Sequence, residues 1–235
     1  MAGLREQGIN VISLDLTDES SMVAAVQGIM KEQGRIDILV NNAGYGSYGA
    51  LEDVPQPEAR RQFDVNVFGA MRLAQLCLPS MRERRFGKIV NITSIGGKLC
   101  QPMGGWYHAT KFALEALSDC MRTEVRGFGI DVIVVEPGGI RSEWAGIAGD
   151  NLMKISGGTA YAELARQNAT LLAATTKSLA PPDVIAKVIE KAIRAKTPRT
   201  RYVAGTGAVF LLLLRRLLPD RAFDWVMLAA MRWAR

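Results

Sequence analysis

Short apolar runs alternate along the chain with longer stretches whose apolar residues recur at three- and four-residue steps. The runs fall at residues 9–15 (INVISLD), 36–40 (IDILV), 88–93 (KIVNIT) and 130–135 (IDVIVV), with a last short one at 202–204. Their length and β-branched content predict strands. The stretches between them predict helices. Thr17 or Asp18 can cap a helix that sets Met22, Val23, Val26 and Ile29 on one side and stops near Gly34. Residues 57–84 read as one long helix with Phe63, Val67, Ala70, Met71, Ala74 and Leu78 inward. Residues 107–125 contain no Gly or Pro and give another, and Pro181 and Pro182 open a further one to residue 196. Strands separated by helices imply parallel pairing. The predicted fold class is therefore α/β, a doubly wound, mostly parallel sheet.

Such sheets bind ligands beyond the carboxyl ends of their strands. Polar residues gather at those ends here: Asp15 after the first run, Asn41 to Gly44 after the second, Thr93 and Ser94 after the third, and Pro137, Gly138 and Gly139 after the fourth. Random surface polarity does not favour the same end of four successive strands. Tyr107 and Lys111 open the helix that follows the third run, at i and i+4 on one face. An ammonium beside a phenol favours the phenolate and is expected to lower the tyrosine pKa from about 10. Such a tyrosine can exchange a proton with a substrate oxygen. Tyr and Lys four apart also occur on many solvated helix faces, so the pair gains meaning only from the strand ends beside it.

At 235 residues the chain suits one α/β domain, residues 1–235. An apolar fraction of 49% with 22% charged residues is globular rather than disordered composition. Cys77, Cys100 and Cys120 are scattered without metal or redox spacing, which points to a reduced, cytoplasmic compartment and no metal site. His108, the sole histidine, is read as a helix-surface residue. The net charge is +6, and residues 187–235 hold eleven Lys/Arg against three Asp/Glu, or +8, leaving −2 for the rest. The basic end interleaves Arg with Leu rather than with stacking aromatics, which argues against nucleic acid. The tail, residues 206–235, is amphipathic and Arg-rich. It can cover a substrate entrance, lie on a membrane surface or meet another subunit, and intramolecular packing is ranked above peripheral membrane contact.

The motifs NNAG at residues 41–44, Asn66-Val67, Ser94, Tyr107-x-x-x-Lys111 and Pro137-Gly138 stand in the order found in the short-chain dehydrogenase/reductase family. Ser94 precedes Tyr107 by thirteen residues, the family's usual spacing. The chain resembles that family over about residues 9–140, most closely members acting on hydroxysteroids, retinoids and other apolar alcohols. The resemblance implies a Rossmann-like fold and a nicotinamide-dependent oxidoreductase interconverting an apolar alcohol and a carbonyl compound. Tyr107 would be the general acid/base, Ser94 would hydrogen-bond the substrate oxygen, Lys111 would hold the nicotinamide ribose, and Asn66 would hold a relay water. The bland alternative for Asn66 is a helix residue bonded to backbone. Asn41, Asn42, Ala43 and Gly44 would let the adenosine ribose approach the backbone. Asp15 would accept from the adenine amino group with Leu16 beside it, an N-cap being the other reading of Asp15. Pro137 and Gly138 would border the nicotinamide, Ile140 would offer backbone to its carboxamide, and Ser142 would keep a hydroxyl where the family commonly has Thr.

The family's glycine-rich phosphate loop does not occur before Asp15. An internal start or a truncated N-terminus is therefore expected, with a catalytically inactive scaffold or binding protein as the rival function. The G-x-G-x-x-G at Gly44, Gly46 and Gly49 is not that loop, because its acidic partner Asp64 falls inside a predicted helix. The expected cofactor is NADP, with NAD as the alternative. Residues 141–178, rich in Gly and apolar side chains, are a candidate substrate lid or a helical hairpin on the core. Leu99, Met103 and Trp144 are candidate substrate contacts. The resemblance also implies a homodimer or homotetramer built on the helices at 57–84 and 107–125.

Overall fold

The apolar runs from residue 36 onward become strands β1 (Ile38–Asn41), β2 (Gly87–Ile92), β3 (Ile130–Pro137) and β4 (Arg201–Ala204). In this computed structural model, which describes residues 2–175 and 178–233, they form a parallel sheet in the order β1-β2-β3-β4. The register sets Asn41 opposite Asn91, and Val90 opposite Ile133. Every residue of β2 is buried, as an interior parallel strand covered on both faces requires.

Helix α1 (Ala2–Glu6) is short, and α2 (Glu19–Gln33) is capped by Asp18, which accepts from Ser20 N at 2.8 Å. Gly34 ends α2 at φ 70°. The stretch expected as one helix at 57–84 is three pieces: α3 (Gln56–Phe63), a π-helical segment (Asp64–Gly69) and α4 (Ala70–Arg84). The widened turn lets the chain before α2 lie directly on Gly69, where a Cβ would stand 2.8 Å from the Leu16 carbonyl oxygen. Helix α5 (Gly105–Val125) leads into β3. Then come α6 (Trp144–Ser156), α7 (Ala162–Thr175), α8 (Asp183–Arg194) before β4, and α9 (Ala208–Leu217) and α10 (Asp220–Trp233) after it.

The period of two along each strand divides the core between two layers. Ile89, Ile130 and Val132 pack with Met22 of α2, Cys77 and Met81 of α4 and Met121 of α5. Val90, Ile92, Ile133 and Val135 face α8 through Ile185, Val188, Ile189 and Ala192. Helices α5 and α8 thus cover opposite faces, while the strands advance in one direction. The β3-to-β4 crossover therefore has the opposite hand from the preceding one, against the usual right-handed rule. This detour carries α6 to α8 around the carboxyl end of the sheet, where they wall the site.

One expectation about a strand is corrected. Residues 9–15 do not form a strand, although the run is β-rich. A strand exists only through a neighbour's backbone, and among the described residues nothing pairs with this segment; Ile9, Ile12 and Leu14 are exposed. The segment at 141–175 is a helical hairpin seated on the core. Ala148, Leu152 and Ala165 are buried against Tyr48, Ala50 and Met103, and Ser156 Oγ accepts from Ala50 N at 2.9 Å. Residues 176 and 177 of the expected lid lie outside the described residues. The tail at 206–233 is the helix pair α9 and α10, packed on Ile95 and Leu99 through Ala208, Phe223 and Met227; residues 234 and 235 lie outside the described residues.

Candidate active site

Ser94 follows directly on β2, Tyr107 and Lys111 occupy the first two turns of α5, and Pro137 closes β3. Their spacing is fixed by two glycines that permit close backbone approach. A Cβ on Gly97 would stand 3.0 Å from the Lys111 carbonyl oxygen, and one on Gly96 would stand 2.9 Å from His108 Nδ1. The loop after Ser94 can therefore lie flat on α5. His108 completes the clamp: its Nδ1 lies 2.9 Å from Gly96 O, and its Nε2 accepts from Gln101 N at 3.2 Å. This corrects the surface reading of His108, which is buried, with a pKa lowered by that burial. With one ring nitrogen facing a carbonyl and the other an N–H, it is a neutral spacer between loop and helix.

A cavity of about 860 Å³ opens at this end of the sheet. Asn42, Gly44, Ser94, Leu99, Tyr107, Lys111, Pro137, Gly138, Ile140, Ser142 and Trp144 all line it. The Ser94 hydroxyl accepts from Gly96 N at 3.0 Å and lies 3.4 Å from the Pro137 carbonyl oxygen. Lys111 Nζ sits 5.9 Å from the centre of the Tyr107 ring and donates to Ile92 O at 3.0 Å. Burial brings Lys111 down to about 8, with Glu115 opposing that fall. The tyrosine departs from expectation in direction. Burial raises the Tyr107 pKa, and the opposing influence is its hydrogen bond with Ser94 rather than Lys111. The ammonium donates to the Ile92 carbonyl, and burial governs the phenol. Tyr107 is protonated at neutral pH and stands as a proton donor.

Trp144, at the start of α6, lies tilted at 5.3 Å from the Tyr107 ring and edge-on at 5.5 Å from Tyr48. Gly46 makes room for it, since a Cβ there would stand 2.6 Å from the indole. Asn66 does not line the cavity. Its Oδ1 accepts from Tyr45 N at 3.0 Å, and its Nδ2 donates to Tyr45 O and Thr110 Oγ1 at 2.9 and 3.1 Å. Asn66 thus ties the loop after β1 to α5 from a π-helical segment, a distortion frequent at functional sites. Asn41 is also structural, donating to Ala70 O and to Asn91 Oδ1. Asp15, Leu16, Ala43 and Met103 lie outside the cavity lining. Asp15 accepts from the amide and hydroxyl of Thr17, a local turn whose hydrogen bonds hold its carboxyl below the usual range. Met103 is buried in the core at φ 69°, with its carbonyl accepting from Gly49 N.

A buried acid pair lies behind the site, and the motifs gave no sign of it. Glu115, one turn beyond Lys111, accepts from Thr93 Oγ1 at 2.6 Å and pairs with Lys98 at 2.8 Å and Arg201 at 2.9 Å. Glu136, next to Pro137, is 3.3 Å from Arg201 Nε. Burial, and then the Glu115 charge, push the Glu136 carboxyl up. Both acids and their partner Thr93 adjoin site segments: Thr93 is next to Ser94, Glu115 one turn from Lys111, and Glu136 next to Pro137. Arg201→Met should lower stability by about 3 kcal/mol, because it leaves buried carboxylates short of a countercharge. A carboxyl with a raised folded pKa stabilises below its unfolded value and loses that contribution as pH rises through the folded one. The Arg201→Met deficit, followed by denaturant titration, should therefore be larger at neutral than at mildly acid pH. Adding Glu136→Gln should recover part of it.

A parallel α/β sheet of this order, with its polar residues converging at the carboxyl edge, is a Rossmann-like fold. The sequence model of the family described as short chain dehydrogenase matches residues 2–151. Among curated relatives, the 3-ketodihydrosphingosine reductase of Bacteroides thetaiotaomicron is 33% identical over 221 residues, covering 93% of this chain and 81% of its own. The NADPH-dependent 3-dehydrocapnine reductase of Ornithobacterium rhinotracheale is 34% identical over 223 residues, covering 92% of this chain and 78% of its own. Among solved structures, a short-chain dehydrogenase from Streptomyces avermitilis superposes with a TM-score of 0.75 at 32% identity, over 99% of this chain and 81% of that one. The chain belongs to the short-chain dehydrogenase family of oxidoreductases.

Proposed function

We propose that this protein is an NADPH-dependent reductase of ketones carried on long, largely apolar chains, with the reverse oxidation of the secondary alcohol available to the same site. The observation that carries the proposal is the make-up of the cavity. Its polar groups, Ser94, Tyr107 and Lys111, cluster at the strand ends. Asn42, Thr93, Gln101, His108 and Ser142 add polar groups near them, while an apolar stretch of the lining runs through Leu172, Leu179, Ile185 and Ile189 to Leu211 and Met227. A carbonyl can be held at one end while an alkyl chain fills the other. The two reductases described above are named for substrates reduced at a 3-keto or 3-dehydro position, and one is named as NADPH-dependent.

The residues present fit a nicotinamide cofactor. Gly44 leaves bare backbone between Asn66 and Lys111, where a Cβ would stand 3.1 Å from Asn66 Oδ1 and 3.7 Å from Lys111 Nζ. Among the described residues the ammonium donates to Ile92 O alone, so further N–H groups are free for a ribose. Asn42, Gly44, Lys111, Pro137, Gly138, Ile140 and Ser142 would hold the group, which supplies the hydride when bound. Asp15 and Leu16, expected near the adenine, lie outside the cavity lining. Ser94 would donate to the substrate oxygen, and Tyr107 would give its phenolic proton to that oxygen as negative charge develops there. Trp144 excludes water over the reacting centre. Phe68, Phe112 and Leu117, exposed on the π-helical segment and on α5, fit the expected homo-oligomer face.

The test is NADPH oxidation against a homologous series of straight-chain ketones. A dry apolar wall gives about 0.8 kcal/mol per methylene, or roughly a fourfold rise in kcat/KM for each added carbon until the cavity is full. A flat series, or one that favours short hydrophilic ketones, would reject the long-chain reading.

A further inference from the structure

Helix α9 is apolar on both sides. Ala208, Leu211, Leu212 and Leu214 face inward onto Ile95, Leu99 and Phe223. Val209, Phe210, Leu213 and Leu217 face outward, with 69%, 66%, 52% and 69% of their surfaces exposed. At 3.6 residues per turn these four, together with exposed Arg216, occupy an arc of about 120°. A helix that is apolar all round is ordinarily covered all round, and a contiguous exposed apolar stripe marks an interaction surface. On α10, Trp225 is 71% exposed, an aromatic suited to the headgroup level of a bilayer. Among the described residues no helix is long and apolar enough to cross a membrane, so any lipid contact would lie along the surface.

We propose that the outward face of α9, with Trp225 of α10, docks on the surface of a membrane rich in anionic phospholipid. Charge complementarity selects that occupant. Helices α9 and α10 carry Arg215, Arg216, Arg221 and Arg232 against Asp220 and Asp224, and Arg216 and Arg221 are exposed at the end of α9 and the start of α10. Arg215, by contrast, is engaged with Asp220 at 2.7 Å and stacked on Phe223 at 5.3 Å. A second copy fits less well, because an isologous contact sets the same patch against itself and brings like arginines together. Anionic headgroups neutralise them instead. The position in the fold gives the docking a purpose. Leu211 and Met227, on these same two helices, line the apolar end of the cavity. A membrane-dissolved ketone would then reach the cavity without crossing water. That route rests on the long-chain ketone reading, whereas the docking does not.

The experiment is flotation of the full chain with two vesicle types, phosphatidylcholine alone and phosphatidylcholine mixed with phosphatidylglycerol, at low and high salt. Binding is expected to the mixed vesicles, and to weaken with salt. Phe210→Asp/Leu213→Asp changes only exposed positions and should reduce partitioning tenfold or more without shifting the thermal midpoint. Arg216→Glu should weaken binding to the mixed vesicles and flatten its salt dependence. Absence of flotation with either vesicle type overturns the proposal, as does equal binding by the double variant. A wild-type dimer that the double variant dissociates, with no vesicle binding, assigns the face to a second copy and also overturns it. None of these readouts depends on turnover, so failure here leaves the ketone-reductase reading standing, and a failed ketone series leaves the docking standing.

Discussion

Tyr107→Phe should reduce kcat/KM for ketone reduction by about a thousandfold, within the range of roughly 100- to 10,000-fold supplied by a placed general acid. The reason lies in the protonation state the fold imposes. Burial raises the pKa of the phenol, so the proton is present at neutral pH and available to a developing alkoxide. Phenylalanine keeps the ring and its contact with Trp144 at 5.3 Å. It removes only the hydroxyl and the hydrogen bond with Ser94, so stability should move by no more than about 1 kcal/mol. NADPH affinity, read by fluorescence, should remain within a few-fold, because Lys111 and the glycine floor are untouched. A pH series adds a second check. With the phenol pKa raised, the oxidative direction, which needs the phenolate, should speed up steadily toward alkaline pH in the wild type and lose that dependence in the variant. A variant that turns over ketone at near wild-type rates would remove Tyr107 from the chemistry.

Lys111→Met should separate function from stability. Lys111 is buried, and its pKa falls from an ordinary 10.5 to about 8, chiefly through desolvation. That drop corresponds to roughly 3 kcal/mol disfavouring the charged form in the folded state. For a group whose folded pKa is depressed, the stabilising contribution is present above the unfolded value and is lost as pH falls through the folded one. The window here runs from about 8 to 10.5, so at pH 7 the penalty applies in full. Methionine fills similar space without charge. It also loses the hydrogen bond to Ile92 O, worth about 1.5–3 kcal/mol for a charged donor. The cofactor-free variant should therefore unfold at pH 7 with a free energy equal to the wild type's or up to about 1.5 kcal/mol higher. Between pH 8 and 10.5 the wild type should gain on the variant as its own ammonium sheds the proton. Turnover should fall by about a hundredfold or more at every pH if, as proposed, the ammonium positions the nicotinamide ribose. A variant that is less stable at pH 7 and tracks the wild type through the alkaline range would contradict the buried-ammonium account.

The site was legible in sequence where residue type and strand position coincide. Asn42, Gly44, Ser94, Tyr107, Lys111, Pro137, Gly138, Ile140 and Ser142 were assigned from their places at strand ends, with the family resemblance, and all line one cavity. Leu99 and Trp144 joined them from the loop and from α6. Other expected residues lie outside that cavity or turn another way, for related reasons. Asp15 and Leu16 were read from a run that looks like a strand but pairs with nothing described. Met103 was placed by nearness in sequence to Tyr107, yet it turns into the core at positive φ. His108 stands next to Tyr107 on the helix, and one residue of helix rotates a side chain by about 100°, away from the Tyr107–Lys111 face and into the clamp with Gly96. The Gly96-Gly97 pair was the available signal for that clamp.

Sequence by itself determined the order of strands and helices from residue 36 onward, because short apolar runs and 3.6-residue periodicity report burial directly. It also determined which residues from Asn41 onward would stand at the carboxyl edge of the sheet. Tertiary structure alone decided the charge states. Tyr107 holds its proton and Lys111 is brought to about 8 because the fold buries both, against the opposing pull of Ser94 on the phenol and of Glu115 on the ammonium. It alone decided, too, that an insertion after β3 and the two last helices would meet over the same cavity. A pKa and a pocket wall both depend on groups far apart in the chain, and local periodicity carries no information about such distances.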